Sequence, residues 1–344
     1  MTATQDKLNA SDELCQPVAT MPAGVSIVVP VFRSAATLDA LRSRLARTLE
    51  AVAVPYEILL VEDGGNDGTW DVIRSLARAS THVKGIRLSR NYGQHNALLC
   101  GIRAATMPVI VTLDDDLQNP PEEVVKLIAL LQQGYDVVYG TPEREQHNFW
   151  RDQASRITKM VLQGAMGAET ARHVSAFRAF RTSLRDAFHD YRSPFVSIDV
   201  LLTWGTTRFA HLTVRHEPRV LGVSNYTFRK LFNHAMNMMT GYSTLPLQAA
   251  SVMGFGFTAF GFLLLLYVVG SYLFVGSPVR GFTFVSSMIA IFSGAQMFAI
   301  GVIGEYLARM HFRSMDRPVY TVAETVVAGA SDVSSEGATE CGRP

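Results

Sequence analysis

The feature that most constrains the fold of this chain is a pair of long segments without charged side chains. No Asp, Glu, Lys or Arg occurs among the 49 residues between Lys230 and Arg280, or among the 24 residues between Arg280 and Glu305. Each segment contains more than the ~20 apolar residues that a helix needs to cross ~30 Å of hydrocarbon. The sequence therefore predicts two transmembrane helices, at about 246–275 and 282–306. Two buried helices of a large soluble core are the alternative.

The basic residues around these segments predict how the chain is oriented. Arg280 lies in the short connection between the two predicted helices, and five other basic residues flank their outer ends: Arg229, Lys230, Arg309, Arg313 and Arg317. Because cytoplasmic flanks are enriched in Lys and Arg, we expect a multi-pass protein of the plasma membrane with both termini in the cytoplasm. Residues 227–245 carry apolar side chains at near-helical spacing, which predicts an interfacial amphipathic helix leading into the bilayer.

Composition and the two ends of the chain exclude several classes of protein. A formal net charge of +1 provides no basic stripe of the kind that nucleic acids require. The three cysteines have neither metal-ligand spacing nor a disulfide pattern, so we expect reduced thiols. Residues 1–24 lack the apolar core of a signal peptide and are predicted to be disordered. The C-terminal segment 309–344 is expected to be cytoplasmic, and disordered after about residue 324.

Residues 25–140 alternate between strand-like and helix-like patterns. Five β-rich apolar runs, VSIVVPVF, YEILLVED, VKGIRLS, MPVIVTLD and YDVVYG, are separated by segments with apolar residues at helical spacing. This alternation predicts an α/β fold, in which helices cover both faces of a parallel sheet. We place this domain at 25–226, before a transmembrane hairpin at 246–308.

Three consecutive aspartates, Asp114, Asp115 and Asp116, follow one of these predicted strands in the stretch LDDDLQNPPEE. The second half of the stretch is an ordinary helix start, because Pro and acidic residues suit the first helical turn. The aspartates need another explanation. Ligands of open α/β sheets bind at the carboxyl ends of strands, and clustered carboxylates there suit Mg²⁺ or Mn²⁺ that also binds substrate phosphates. A metal site and a solvated acidic loop are therefore both open interpretations.

A second predicted strand ends in the stretch VEDGGNDGTW. Glu62 and Asp63 are followed by Gly64, Gly65 and Gly68. Glycine permits positive φ and a close approach of the backbone, and a carboxylate at this place accepts hydrogen bonds from a base or a ribose. A plain strand-to-helix turn is the alternative, because Asp-Gly is common turn chemistry.

Four segments in this order and spacing, SIVVPVF, VEDGGNDGT, LSRNYGQHNAL and LDDDLQNPPEE, resemble the family 2 glycosyltransferases. The two apolar segments and the ending GAQMFAIGVIGEYLARM…RPVY resemble the bacterial polyprenyl-phosphate glycosyltransferases. That group contains undecaprenyl-phosphate glucosyl- and formamido-arabinosyltransferases and is related to dolichol-phosphate mannose synthase. The resemblance covers about residues 25–323 and implies a GT-A (Rossmann-like) nucleotide-sugar domain followed by a two-helix transmembrane hairpin.

The resemblance also implies roles for individual residues. The nucleotide is expected to contact Pro30, Phe32, Asp63, Arg90, Gly93, Asp114 and Asp115. Among these, Asp63 matches the carboxylate that reads the base. Mg²⁺ or Mn²⁺ is expected on Asp114, Asp116 and Gln118, chiefly on Asp116. The expected catalytic residues are Asp116, Arg144 and Arg178, and the expected ligands of the acceptor phosphate are Arg144, Arg219, Ser224 and Tyr226.

Two positions depart from the family pattern. Relatives often have Asn-Glu after the aromatic residue of the first motif, where this chain has Arg33 and Ser34. Relatives also carry an acidic residue, often proposed as a base, ahead of the Phe-Arg pair that ends at Arg178. Here His173 is one candidate substitute, since imidazole titrates near neutrality; a structural or exposed histidine is the alternative. A phosphate monoester is already largely dianionic at pH 7, so it needs little help from a base.

These features support one main hypothesis. The chain is expected to be an inverting transferase that moves a sugar from a nucleotide sugar, in the simplest case a UDP-sugar, to a polyprenyl phosphate on the cytoplasmic leaflet of a bacterial inner membrane. The alternatives are a same-fold transferase with a non-polyprenyl acceptor and a catalytically inactive membrane-anchored nucleotide-sugar sensor or assembly partner. Small residues of the second apolar segment suit close helix contact, either within the chain or in a homo-oligomer such as a tetramer: Gly294, Ala295, Ala299, Gly301 and Gly304.

Overall fold

The computed structural model describes residues 21–142, 173–193, 195–217, 245–275, 282–315, 317–329 and 333–334. Nine strands lie within these residues: β1 Val25–Val31, β2 Tyr56–Glu62, β3 Val83–Leu88, β4 Val109–Thr112, β5 Val137–Pro142, β6 Arg178–Arg181, β7 Phe209–Val214, β8 Val322–Val327 and β9 Val333–Ser334. They form one sheet in the order β7-β5-β6-β4-β1-β2-β3-β8-β9. The described helices are α1 Leu38–Ala51, α2 Thr69–Ala79, α3 Gln94–Ala104, α4 Val124–Gln132, α5 Ile198–Gly205, α6 Leu245–Val275 and α7 Phe282–Ser314.

The centre of the sheet is parallel, as the alternating pattern predicts. β1 pairs in parallel with β2 and with β4, and β2 pairs in parallel with β3. All seven residues of β1 are buried, because apolar cores cover both faces of the sheet. Helices α1, α2 and α4 pack on one face, and α3 and α5 pack on the other. The α/β fold class is therefore confirmed.

Two strands, β6 and β8, interrupt this pattern because they run antiparallel to their neighbours. β6 lies between β4 and β5 and runs antiparallel to both. β8 runs antiparallel to β3 at the other side of the sheet. Residues 325–327, just after the position of about 324 where disorder is predicted to begin, continue β8, and their backbone pairs with β3. The sheet also extends beyond the predicted domain limit at residue 226, since β8 follows the two apolar helices in the chain.

Helices α6 and α7 are long and apolar enough to cross a membrane. Their candidate spans are Pro246–Ser271, with a mean hydropathy of 2.2, and Ile291–Ser314, with a mean hydropathy of 1.3. An 18-residue apolar stretch within each span contains no residue buried inside the protein, and Phe255 and Phe274 of α6 expose 77% and 89% of their surfaces. The alternative of two buried helices in a soluble core is therefore wrong. Helix α7 continues to Ser314, beyond the predicted end at residue 306.

The two apolar helices contact each other through aromatic rings. Phe257 and Phe292 lie edge to face, with ring centroids 5.7 Å apart. A Cβ atom added at Gly261 would lie 3.5 Å from the Phe292 ring, so this glycine allows the helices to approach. A Cβ atom at Gly294 or Gly301 would meet no described atom within 4 Å. Among the described atoms, Gly294 and Gly301 therefore have no close neighbour on α6, and the homo-oligomer stays a prediction.

Candidate active site

Four loops meet where the parallel strands end. Because β4, β1, β2 and β3 are neighbours and run in the same direction, their carboxyl ends lie along one edge of the sheet. The loops that follow them carry residues 32–34, 63–65, 89–93 and 113–118. We call these four loops the carboxyl edge. The structure thus brings together the predicted nucleotide-binding and metal-binding segments.

Asp115 holds the loops after β1 and β4 together. The backbone N–H of Phe32 donates to Asp115 Oδ2 at 3.2 Å, and the side chain of Ser34 also hydrogen-bonds the carboxyl group. Burial raises the pKa of the Asp115 carboxyl above its usual value, and these hydrogen bonds act in the opposite direction. Asp115 is therefore engaged mainly by protein groups.

Asp114 and Asp116 lie on either side of this anchor and are only half buried. The Gln94 Nε2 atom donates to Asp114 Oδ1 at 2.7 Å, and the backbone N–H of Gln118 donates to Asp116 Oδ1 at 3.1 Å. The backbone turns between Asp116 and Gln118 through Leu117, which has a φ of 60°. Among the residues that the structure describes, no group of three or more His, Cys, Asp and Glu side chains is arranged to hold a metal ion.

Asp63 joins the loops after β2 and β3. Its Oδ1 accepts the backbone N–H of Tyr92 at 2.7 Å, and its Oδ2 accepts that of Gly93 at 2.8 Å. Only 3% of Asp63 is exposed, and burial raises the pKa of its carboxyl group against the effect of the two N–H donors. Each carboxylate oxygen can accept a second hydrogen bond. Asp63 thus orders the segment at residues 89–93, and its contact with a base stays a prediction.

Gly64 is required where these two loops touch. Its φ of 66° lies in the left-handed region. A Cβ atom at this position would lie 2.3 Å from the carbonyl carbon of Arg90 and 2.4 Å from the nitrogen of Asn91. These atoms belong to the backbone and cannot rotate away. Any larger residue at this position would push the segment at residues 89–93 out of place.

Tyr92 is a central contact of the carboxyl edge that the sequence analysis did not identify. Its hydroxyl group pairs with Ser89 Oγ at 3.0 Å, and its carbonyl oxygen accepts Asn96 Nδ2 at 2.6 Å. The Arg90 guanidinium lies 4.7 Å from the centre of its ring. The sequence signal was present in the motif SRNYG, but the predicted roles went to Arg90 and Gly93.

Phe32 is the accessible aromatic group at this edge. Phe32 exposes 43% of its surface, whereas Pro30 is buried within β1. The guanidinium of Arg33 lies 5.1 Å from the centre of the Phe32 ring. Arg33 has a φ of 57°, an uncommon conformation for a residue with a side chain. Of these two residues, both of which are expected to contact the nucleotide, only Phe32 therefore presents a side chain to solvent.

Arg178, one of the expected catalytic residues, is not placed where it can contact a substrate. Its side chain is 1% exposed, its Nε donates to Thr112 Oγ1 at 3.1 Å, and its Nη1 forms a short ion pair with Asp199. The Tyr139 hydroxyl also donates to Asp199 Oδ1, at 3.1 Å. Burial, followed by the charge of Asp199, raises the pKa of Tyr139 well above its usual value. Arg178 thus belongs to a buried cluster, and we expect it to position β4 rather than to touch substrate.

Other predicted site residues are placed elsewhere or lie outside the described residues. The ring of His173 stacks on that of His211, with centroids 3.7 Å apart and an interplanar angle of 5°. The backbone of Gln118 makes a second hydrogen bond besides the one to Asp116, because its carbonyl oxygen accepts the N–H of Glu217 at 2.8 Å. Four predicted ligands fall outside the described residues: Arg144, Arg219, Ser224 and Tyr226. The predicted interfacial helix at 227–245 also falls outside them, except for Leu245, which begins α6.

Comparison with known proteins identifies relatives over most of the chain. Residues 26–192 match the sequence profile of the family described as "Glycosyl transferase family 2". The undecaprenyl-phosphate 4-deoxy-4-formamido-L-arabinose transferase of Pectobacterium atrosepticum is 34% identical over 307 residues, which are 88% of this chain and 94% of the relative. The enzyme of the same name from Shewanella sediminis is 34% identical over 310 residues, 89% of this chain and 94% of the relative. A crystal structure of mannosyl-3-phosphoglycerate synthase from Rubrobacter xylanophilus is 15% identical, with 62% and 70% of the two chains covered and a TM-score of 0.47.

Proposed function

This chain belongs to glycosyl transferase family 2, and on that premise we propose that it is a membrane-bound transferase that moves a sugar from a nucleotide sugar to a polyprenyl phosphate. The relatives that match 88% of the chain are named for transfer to undecaprenyl phosphate. The main support from the structure is the carboxyl edge, where Phe32, Asp63 and the three aspartates meet in a chain that also carries two exposed apolar helices.

The residues at the carboxyl edge suit a divalent cation. Asp114 and Asp116 supply hard carboxylate oxygens, and both side chains remain partly accessible beside the anchored Asp115. Mg²⁺ and Mn²⁺ are commonly bound by one or two carboxylates together with substrate phosphates. Two aspartates are therefore enough ligands from the protein. We propose that Asp116 and Asp114 hold Mg²⁺ or Mn²⁺, with Gln118 beside them. Bound there, the cation would stabilise the negative charge of the departing nucleotide diphosphate.

The protein residues at this edge have separate tasks in the proposed reaction. Phe32 offers an exposed ring to the nucleobase, and Asp63 holds the segment at residues 89–93 that faces the nucleotide. The acceptor is a phosphate dianion, which attacks with inversion and needs positive charge more than it needs a base. We assign that charge to Arg144 and Arg219, with Ser224 and Tyr226 as further ligands. Attack by a preformed anion also accounts for the absence of an acidic residue at His173.

The two apolar helices explain how such an acceptor reaches the site. A polyprenyl chain stays in the bilayer, so its phosphate is available only at the membrane surface. Helix α7 ends at Ser314, and Val319 is already buried in the α/β domain. The domain is therefore attached close to one end of a membrane-length helix. We propose that the active site faces the cytoplasmic leaflet, because the basic flanking residues favour that side.

Transfer is tested with membranes that contain the full-length protein. They are supplied with a panel of radiolabelled nucleotide sugars and undecaprenyl phosphate, with and without EDTA. Label in the lipid fraction that appears only when Mg²⁺ or Mn²⁺ is present supports the proposal. Binding of a nucleotide sugar without transfer anywhere in the panel contradicts it and favours the sensor. Transfer to diacylglycerol or a polysaccharide, but not to undecaprenyl phosphate, identifies a different acceptor.

A further inference from the structure

The strand that follows the second apolar helix is part of the nucleotide domain. β8 lies antiparallel against β3, although the two are separated in the chain by both apolar helices. Val319, which precedes β8, and Val326, near the end of β8, are 7% and 2% exposed. The segment 319–326 is therefore buried at both of its ends. The family profile matches residues 26–192 and does not include this strand.

A side-chain clamp holds β8 to helix α2. Glu324 Oε2 accepts the indole N–H of Trp70 at 2.8 Å. Arg74 donates from Nε and from Nη2 to Glu324 Oε1, at 3.3 and 3.1 Å. Charge-assisted and forked contacts of this kind are stronger and more directional than contacts between neutral groups. The position of β8 on the sheet is therefore well determined.

The segment before β8 contacts the loop after β3 directly. The backbone N–H of Ser89 donates to the carbonyl oxygen of Thr321 at 2.9 Å. The side chain of Thr321 hydrogen-bonds the Tyr92 hydroxyl group, which also pairs with Ser89 Oγ. Asp63 holds the backbone of Tyr92 from the other side. Thr321 thus contacts the side chain of Tyr92, and Asp63 binds the backbone of the same residue.

We propose that Thr321 and β8 are positioning elements of the donor site, and that nucleotide affinity depends on them. The inference rests on the proposed function, since it assumes that a nucleotide binds beside residues 89–93. When β8 is seated, Tyr92 has one preferred position, and the nucleotide does not have to order this loop itself. The coupling is reciprocal, so a bound nucleotide must also stabilise β8 on β3. The donor site is thereby linked to the end of α7.

Nucleotide binding by the full-length protein in detergent tests this inference. Calorimetric Kd values for UDP and GDP with Mg²⁺ are measured for the wild type, Thr321→Val and Glu324→Gln. We expect each variant to bind roughly threefold to tenfold more weakly, the range for losing a hydrogen bond or part of an ion pair. Thr321→Ser keeps the hydroxyl group and should restore wild-type affinity. Asp71→Asn is the matched control, because Asp71 forms an ion pair with the same Arg74 and its side chain is 76% exposed.

Hydrogen exchange gives the reciprocal measurement. Amide exchange at residues 319–327 should slow severalfold when the nucleotide is bound. Equal Kd values for the wild type and both variants, with matching thermal midpoints and unchanged exchange at 319–327, overturn the inference. If Glu324→Gln unfolds, the comparison of Thr321→Val with Thr321→Ser decides, because each of these variants changes a single methyl or hydroxyl group on an exposed residue. A wild type that binds neither nucleotide and transfers no sugar from the labelled panel overturns the proposed function as well. A wild type that transfers sugar, with variants that bind the nucleotide as tightly as it does, overturns only this inference.

Discussion

The aspartates at the carboxyl edge and the aspartate at the start of α5 show two different uses of a carboxylate in one domain. Asp114 and Asp116 remain partly accessible, whereas Asp199 is enclosed with Arg178 and Tyr139. The two groups are electrostatically connected, because the charge of Asp114 contributes to the pKa of Arg178. The carboxylates that we propose as cation ligands stay partly open to solvent, whereas the Asp199 carboxylate is paired and buried. Substitutions should therefore separate loss of activity from loss of stability.

Removing the enclosed carboxylate should have the largest effect. Asp199→Ala leaves the Arg178 guanidinium buried without its counter-charge, which should cost about 3–5 kcal/mol of unfolding free energy. Denaturant unfolding of the detergent-solubilised protein measures the change. Asp190→Ala is the control, because the Asp190 side chain is 92% exposed and its loss should change stability by no more than about 0.5 kcal/mol. Equal stability of the two variants would remove the distinction between the two regions.

Removing a charge at the accessible pair should affect activity instead. Asp116→Asn preserves the shape of the side chain but removes the anion that the cation needs, so transfer should fall by roughly 10²–10³-fold. The thermal midpoint and the insertion into membranes should stay at the wild-type values. Transfer of labelled sugar into the lipid fraction measures the first effect, and retained activity would contradict the metal assignment.

A third test concerns the contact between the loops after β2 and β3. Gly64→Ala places a Cβ atom against the backbone of Arg90 and should destabilise the protein by about 2–4 kcal/mol through strain and overpacking. Gly68→Ala is the matched control: Gly68 has a φ of 84°, but a Cβ atom there meets nothing within 4 Å. Gly68→Ala should lower the unfolding free energy only through conformational strain, by about 1 kcal/mol. Unfolding curves of both variants separate the clash from the backbone strain.

The smallest expected effect is a dependence of stability on pH. Burial raises the pKa of Asp63 above its ordinary value of 3.8, so the folded protein holds this proton more tightly than the unfolded chain. Stability contributed by Asp63 is therefore present below pH 3.8 and is lost as pH rises through its folded pKa. Asp63→Asn should flatten the pH dependence of the unfolding midpoint in that window. An unchanged profile would show that another group is responsible.

Much of the carboxyl edge could be predicted because local patterns suffice there. Buried parallel strands are continuous apolar runs, and their polar ends must lie on one edge, so Asp63 and Asp115 could be expected near each other before any contact was known. The burial of Arg178 could not be predicted from local patterns. Its partner Asp199 lies 21 residues away, and Thr112 and Tyr139 reach it only through the antiparallel insertion of β6. No local periodicity encodes such a pairing.

The amino-acid sequence by itself determined the α/β character, the two apolar helices and the motifs at the strand ends, because hydrophobic periodicity and charge-free length are local properties of the chain. Tertiary structure decided that Asp114 and Asp116 stay partly accessible whereas Asp63 and Asp199 are buried, and it placed Thr321 beside Tyr92. These outcomes depend on pairings between residues far apart in the chain. The physical reason is that burial and hydrogen-bond partners are settled only when the whole sheet, including β6 and β8, is assembled.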